Sequence, residues 1–183
     1  MNDEQRHPLT MRAAHWTTFF ACAILFGTGV AIYNAHPRFR VGDHFVMLPR
    51  VPSWLEINLA PKIVHYVFAA IFILCGVVYL IWGFRNGHFR FLKYKIQQKG
   101  AYYTVLFFLA PLIVLSGIPL LPVKFLKPLG YIFYGGAKWW HIGVTLALSA
   151  FVLGHVTMVV STGFAKNMRA ITTGDEGAPA PAK

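Results

Sequence analysis

Acidic side chains are scarce in this chain, with six Asp and Glu against seventeen Lys and Arg. All six (Asp3, Glu4, Asp43, Glu56, Asp175 and Glu176) lie outside the long apolar runs. A buried acidic proton relay, of the kind proton pumps place within the membrane, therefore has no residue to use. Cysteine is scarcer still. Cys22 and Cys75 stand alone in apolar segments, which argues against a disulfide framework or a thiolate metal centre. There is no Cys-x-x-Cys-His, so covalent c-type haem attachment is not expected, and no molybdenum or iron–sulfur motif is present. The first apolar run lacks an Ala-x-Ala exit and is read as a retained membrane helix rather than a cleaved signal.

What the chain has instead is apolar length. Hydrophobic residues make up 56% and charged residues 13% of its 183 positions. The charges cluster and leave four uncharged stretches near the ~20 residues that cross a bilayer as helix. These predict spans over 13–33, 63–82, 102–121 and 139–161, with Pro111 expected to kink the third. Trp16, Tyr33, Trp82, Tyr102, Tyr103, Trp139 and Trp140 flank the spans as interfacial aromatics do. The net charge of +11 sits in the gaps between apolar runs, which points to anionic lipid headgroups rather than nucleic acid. Four spans put both termini and the middle loop on one side, which holds ten Lys and Arg against seven on the other. The positive-inside rule then makes both termini cytoplasmic. The expected organisation is a cytoplasmic N-terminus over 1–12, a membrane domain over 13–173 and a flexible tail over 174–183. The loop over 34–61 is expected to lie along the outer surface. No internal repeat stands out.

Four histidines, His15, His65, His141 and His155, fall inside the spans. Ionisable residues are costly in hydrocarbon and usually functional there. His141 and His155 are 14 residues apart, hence on nearly one helix face and roughly 21 Å apart in height. Depth pairs His15 with His155 near the inner face and His65 with His141 near the outer face. Two depth-matched histidine pairs fit two haems held between helices. Zinc would prefer clustered ligands, often with Cys or carboxylate. Bis-imidazole haem leaves no open coordination position, which suits electron transfer.

Glycines occur where a macrocycle would need clearance. Gly29 is 14 residues after His15 and falls at the depth of the outer pair. Gly76, 11 residues after His65, falls at the depth of the inner pair. Haem propionates want cationic partners. Arg12, Arg90 and Lys93 are candidates near the inner face, and Arg38, Arg40 and Lys138 near the outer one. His7, His36, His44 and His88 lie in polar or interfacial segments and are read as solvated.

The segments RHPLTMRAAHW, PKIVHYVFA and WWHIGVTLALSAFVLGHVTMVVSTGF, with the closing NMRAITTG, resemble the bacterial four-helix di-haem cytochrome b family, which is cytochrome b561-like. Its members include the gamma subunit of formate dehydrogenase, the b-type subunit of nickel–iron hydrogenase and the membrane anchor of thiosulfate reductase. The stretch FRFLKYKIQQKGAYYTVLFFLAPLIVLSGIPLLP is most similar to the last. The resemblance implies an all-α integral membrane four-helix bundle enclosing two b-type haems, with His15, His65, His141 and His155 at the ligand positions. It implies a subunit of the bacterial inner membrane that carries electrons between quinone and a periplasmic partner of molybdopterin, hydrogenase or cytochrome type. It also places a quinone near the inner haem, around His155, with Asn167 and Arg169 as candidates. A second reading is a stand-alone cytochrome b561-type quinone-coupled superoxide oxidoreductase. A third is a haem-free transporter or scaffold.

Overall fold

The fold is taken from a computed structural model that describes residues 8–37, 39–49, 61–89, 96–133 and 136–174. Among the described residues four helices are long and apolar enough to cross a membrane: Leu9–Ala35, Pro61–Arg85, Lys99–Leu120 and Ala137–Ser161. A bilayer offers no partner for backbone N–H and C=O groups, so uncharged aliphatic stretches of this length satisfy them internally as helix. The chain divides into two compact units, one within His7–Arg85 and the other from Asn86 onward.

The first unit is a pair of helices, α1 (Leu9–Ala35) and α2 (Pro61–Arg85). Pro61 opens α2, where its missing N–H costs nothing and its fixed φ suits the first turn. The buried positions of the pair are few and small: Ala21, Gly27, Thr28 and Val30 on α1, Val64 and Gly83 on α2. Small residues let two membrane helices approach closely, where van der Waals packing replaces the hydrophobic effect as the driving force. Large apolar side chains point away instead, with Phe20 58% and Leu74 65% exposed, as expected of lipid-facing positions. Two polar contacts set the register. Thr28 lies against His65, and at the other end Cys75 Sγ sits 3.7 Å from both the Ala14 carbonyl and Thr18 Oγ1.

Between these helices the chain makes a feature the hydropathy pattern does not show. Residues Arg40–Val41 (β1) and His44–Phe45 (β2) form a two-stranded antiparallel ribbon, with Arg40 opposite Phe45. Gly42 makes the turn at φ +60°, a conformation that suits glycine. The Arg40 guanidinium lies 4.5 Å from the Phe45 ring centroid, a cation–π contact. The ribbon is tied to the end of α1. Tyr33 Oη donates to the Val46 carbonyl, while the Asn34 amide donates to the Leu48 carbonyl and accepts from the Leu48 N–H.

The second unit holds the third and fourth spans. The third begins as α3 (Ile96–Tyr103), widens into a π turn over Thr104–Leu109, resumes as α4 (Ala110–Gly117) and tightens into a 3-10 turn over Ile118–Leu120. The expected effect of Pro111 is thus met by a change of helix type. Proline has no N–H, and its ring crowds the carbonyl four residues back. In the π turn the Ala110 N–H reaches the Val105 carbonyl, five residues back, which opens room ahead of the proline ring. A 3-10 segment, Lys124–Phe133, leads to α5 (Ala137–Ser161). Gly163, at φ +110°, ends the turn after α5 and starts a short helix, α6 (Phe164–Thr173). Gly174 closes α6 at φ +85° in the left-handed conformation usual after a helix.

Hydropathy locates the spans but not the full helices. α1 begins at Leu9 and α2 runs to Arg85, each beyond the expected boundary. Helical hydrogen bonding continues into the interface, whereas the apolar run reports only the hydrocarbon thickness.

Candidate functional site

Each unit carries one membrane histidine near each end of its helices, and the two histidines nearest the loops are held alike. In the first unit, His65 is the fifth residue of α2. Its Nδ1 lies 2.9 Å from Thr28 Oγ1, and the Thr28 hydroxyl also lies 2.8 Å from the Ile24 carbonyl and 3.2 Å from that of Leu25. In the second unit, His141 is the fifth residue of α5. Its Nδ1 lies 3.1 Å from Ser116 Oγ and 3.1 Å from the Ile113 carbonyl. Ser116 is fully buried, and its hydroxyl donates to that same carbonyl.

Glycine stands immediately after each hydroxyl. A Cβ on Gly29 would meet His65 Cε1 at 3.8 Å, an ordinary contact. A Cβ on Gly117 would meet His141 Cε1 at 3.2 Å and Nδ1 at 3.5 Å, so that ring would have to give way. Gly29 thus lies beside the His65 ring. Gly76 follows Cys75, whose thiol touches the carbonyl of Ala14, the neighbour of His15. The space above Gly76 is open to at least 4 Å.

The other two histidines have different surroundings. The His15 ring meets Trp16 edge-on at 5.5 Å. Its Nδ1 and the Arg12 Nε, one turn earlier on α1, are both shielded from solvent. His155 stacks on Phe151 of the preceding turn at 5.9 Å. Between His141 and His155, α5 turns its own hydroxyls inward. Thr145 donates to the His141 carbonyl at 2.7 Å and Ser149 to the Thr145 carbonyl at 2.8 Å, which satisfies them without a partner helix. Gly143 and Gly154, on the opposite side of α5, have open space above them. A shallow groove of about 320 Å³ runs along Trp139, Gly143 and Ala147.

Asn167 has a definite structural task. Its amide donates to the Val159 carbonyl at 3.0 Å and to Thr162 Oγ1 at 2.8 Å, pinning the corner between α5 and α6. Arg169 lies exposed on α6. Arg38 and Arg90, expected near propionates, lie outside the described residues, as does Lys93. Among the described residues no group of three or more His, Cys, Asp or Glu is positioned to hold a bare metal ion. Paired single histidines suit a planar prosthetic group, whose ring nitrogens supply the remaining ligands.

Sequence reasoning missed Thr28, Ser116 and Gly117. The available signal was a hydroxyl–glycine pair, Thr28–Gly29 and Ser116–Gly117, one per unit.

Apolar spanning helices with half-buried histidines, two of them held at their rings by neighbouring hydroxyls, are the framework expected of a membrane cytochrome. The family profile of prokaryotic cytochrome b561 matches residues 6–174. The chain belongs to that family, a family of multi-pass helical membrane proteins that bind b-type haem and transfer electrons. Neither the curated proteins nor the solved structures gave a match to the chain.

Proposed function

We propose that this chain is the membrane-anchor cytochrome b of a multisubunit oxidoreductase. In this reading, residues 13–173 form one four-helix domain of the bacterial inner membrane with both termini cytoplasmic. His15 with His155 binds one b haem near the cytoplasmic face, and His65 with His141 binds another near the periplasmic face. Electrons pass between membrane quinone and a periplasmic subunit of molybdopterin, hydrogenase or cytochrome type.

The observation that carries the reading is that each unit presents histidines at two heights. In the first, His65 lies opposite Thr28, while Ala14, next to His15, lies opposite Cys75. Ten residues of α2 separate His65 from Cys75, about 15 Å of helix. In the second unit, the 14 residues from His141 to His155 span about 21 Å. Two units with ligands at two comparable separations suit two haems stacked across a bilayer.

A bis-imidazole haem, when bound, supplies a one-electron couple and no open coordination site. The chain's own part is to orient the rings and exclude water. Helix-borne histidines with ring nitrogens held by neighbouring side chains need little reorganisation when charge changes. Gly29 keeps bulk away from the His65 ring, and Gly117 does so for His141. Arg12, whose guanidinium Nε is shielded from solvent one turn before His15, is placed to receive a propionate. Arg38 and Arg90 are proposed for the same task from their loop positions. The α5–α6 corner pinned by Asn167 lies six residues beyond His155, about 9 Å along the helix. A quinone headgroup at this end would meet His155 and Arg169.

Native purification in mild detergent tests the reading. The expected result is two b haems per chain by pyridine haemochrome assay and a co-purifying periplasmic redox subunit. A lone, fully haem-loaded chain that reduces quinone rapidly with superoxide would replace the anchor reading by the stand-alone enzyme. A chain without b-type absorbance from haem-replete cells would defeat both.

A further inference from the structure

The two units repeat a local design. The first reads Leu25-Phe26-Gly27-Thr28-Gly29 on one helix and Lys62-Ile63-Val64-His65 at the start of the next. The second reads Ile113-Val114-Leu115-Ser116-Gly117 and then Lys138-Trp139-Trp140-His141. In both, an aliphatic residue is followed three positions later by a hydroxyl and then glycine. In both, Lys is the second and His the fifth residue of the following helix. In both, the imidazole Nδ1 meets the hydroxyl, and at His141 it also meets the Ile113 carbonyl three positions before that hydroxyl.

The hydrogen bonds decide which ring nitrogen carries the proton. A hydroxyl has one proton. Ser116 directs its proton to the Ile113 carbonyl, and Thr28 to the Ile24 or Leu25 carbonyl. Each oxygen is then left as an acceptor toward the ring. The Ile113 carbonyl, 3.1 Å from His141 Nδ1, can only accept. His141 Nδ1 must therefore be the donor; at His65 the Thr28 hydroxyl, committed to the carbonyls of its own helix, leaves Nδ1 the same role, and Nε2 keeps its lone pair in both. That is the tautomer an iron ligand needs, and partners on the distal N–H of a ligating histidine also raise its basicity.

We propose that Thr28 and Ser116 are positioning residues for the His65/His141 haem: each fixes its histidine as the Nδ1–H tautomer and, by accepting that proton's hydrogen bond, lowers the reduction potential of that haem. This rests on the ligand assignment under Proposed function. A more basic imidazole stabilises ferric over ferrous iron, so the hydroxyls bias this haem toward the oxidised state. Thr28→Val keeps the shape and removes the acceptor, and Ser116→Ala removes the other. Gly29 and Gly117 belong to the same device, since side chains there would crowd the ring the hydroxyl holds.

The test uses the full-length protein in detergent or in its native complex, with potentiometric titration of each haem and low-temperature EPR. Thr28→Val and Ser116→Ala should each raise the midpoint of one haem, the same one, and change its low-spin g values. The double variant should shift it further, and the other haem should stay unmoved. Thr28→Ser should return the wild-type midpoint and g values. Retention of both haems with unchanged midpoints and g values in both variants overturns the proposal while leaving the ligand assignment intact. His65→Ala and His141→Ala run alongside: loss of one haem in each supports the assignment, and retention of both haems overturns assignment and proposal together.

Discussion

The two helix pairs of this chain hold one histidine in the same way and the other differently. His65 and His141 occupy matching places, each five residues into its helix and held by a hydroxyl on the helix before. The match stops there. His15 lies 13 residues before Thr28, and the corresponding place before Ser116 is Tyr103. His155 lies 14 residues after His141, and the corresponding place after His65 is Tyr79. One unit thus carries its second histidine on its first helix, the other on its second. Tyrosine stands at each alternative place: Tyr103 donates to the Phe89 carbonyl at 2.7 Å, and Tyr79 stacks on Trp82 at 5.8 Å. One histidine of each unit is therefore set in repeated surroundings and the other in unlike ones. The difference teaches that a shared design sets the loop-side histidines, while the other two are placed by each helix separately.

The strongest way to break this comparison is to remove ligands. His65→Ala and His141→Ala should abolish the same haem, about half the b-type absorbance, while His15→Ala and His155→Ala abolish the other. Spectra of the four variants, with membrane insertion checked by protease accessibility, decide it. If His65→Ala and His15→Ala removed the same haem, the pairing by depth would be wrong.

Next in size is a contrast between the two glycines. Gly117→Ala places a methyl 3.2 Å from His141 Cε1, whereas Gly29→Ala places one 3.8 Å from His65 Cε1. Overpacking of this kind typically costs about 1–3 kcal/mol. Gly117→Ala should therefore lower haem retention and melting temperature in detergent, and Gly29→Ala should leave both near wild type. Equal effects would show that the two cradles are alike in tightness as well as in plan.

Asn34→Ala removes two hydrogen bonds between α1 and Leu48, just after the ribbon, about 1 kcal/mol each at most for exposed groups. Amide exchange at Leu48 should quicken while both haem spectra stay unchanged. The smallest expected effect is that of Thr145→Val, which deletes a hydroxyl bonded within its own helix. Such surface-like changes usually stay within about 0.5 kcal/mol, and haem content and melting temperature should not move. A large loss there would mean that Thr145 serves His141 as Thr28 serves His65.

The four spans and the four histidines were legible in the sequence because hydrocarbon imposes a length on apolar runs and makes an imidazole conspicuous. The depth argument also drew Gly29 to the level of His65, beside whose ring it lies. Less legible were elements whose signal is local or shared with many others. The ribbon at Arg40–Phe45 is four paired residues around a glycine turn, too short for an alternating pattern to register. The π turn before Pro111 answers a clash that sequence announces only as a kink.

By itself, then, the sequence determined that the chain crosses a membrane four times as helix and that it carries histidines at two depths. Both follow from the cost of exposing charge or backbone to lipid, which is a property of composition along the chain. Only the tertiary structure decided what holds those histidines. Thr28 and Ser116 are unremarkable among the hydroxyls of membrane helices until a neighbouring helix brings an imidazole to 2.9 Å or 3.1 Å. A hydrogen bond depends on distance and angle between atoms 25 or 37 residues apart in the chain, and packing between helices is what sets them.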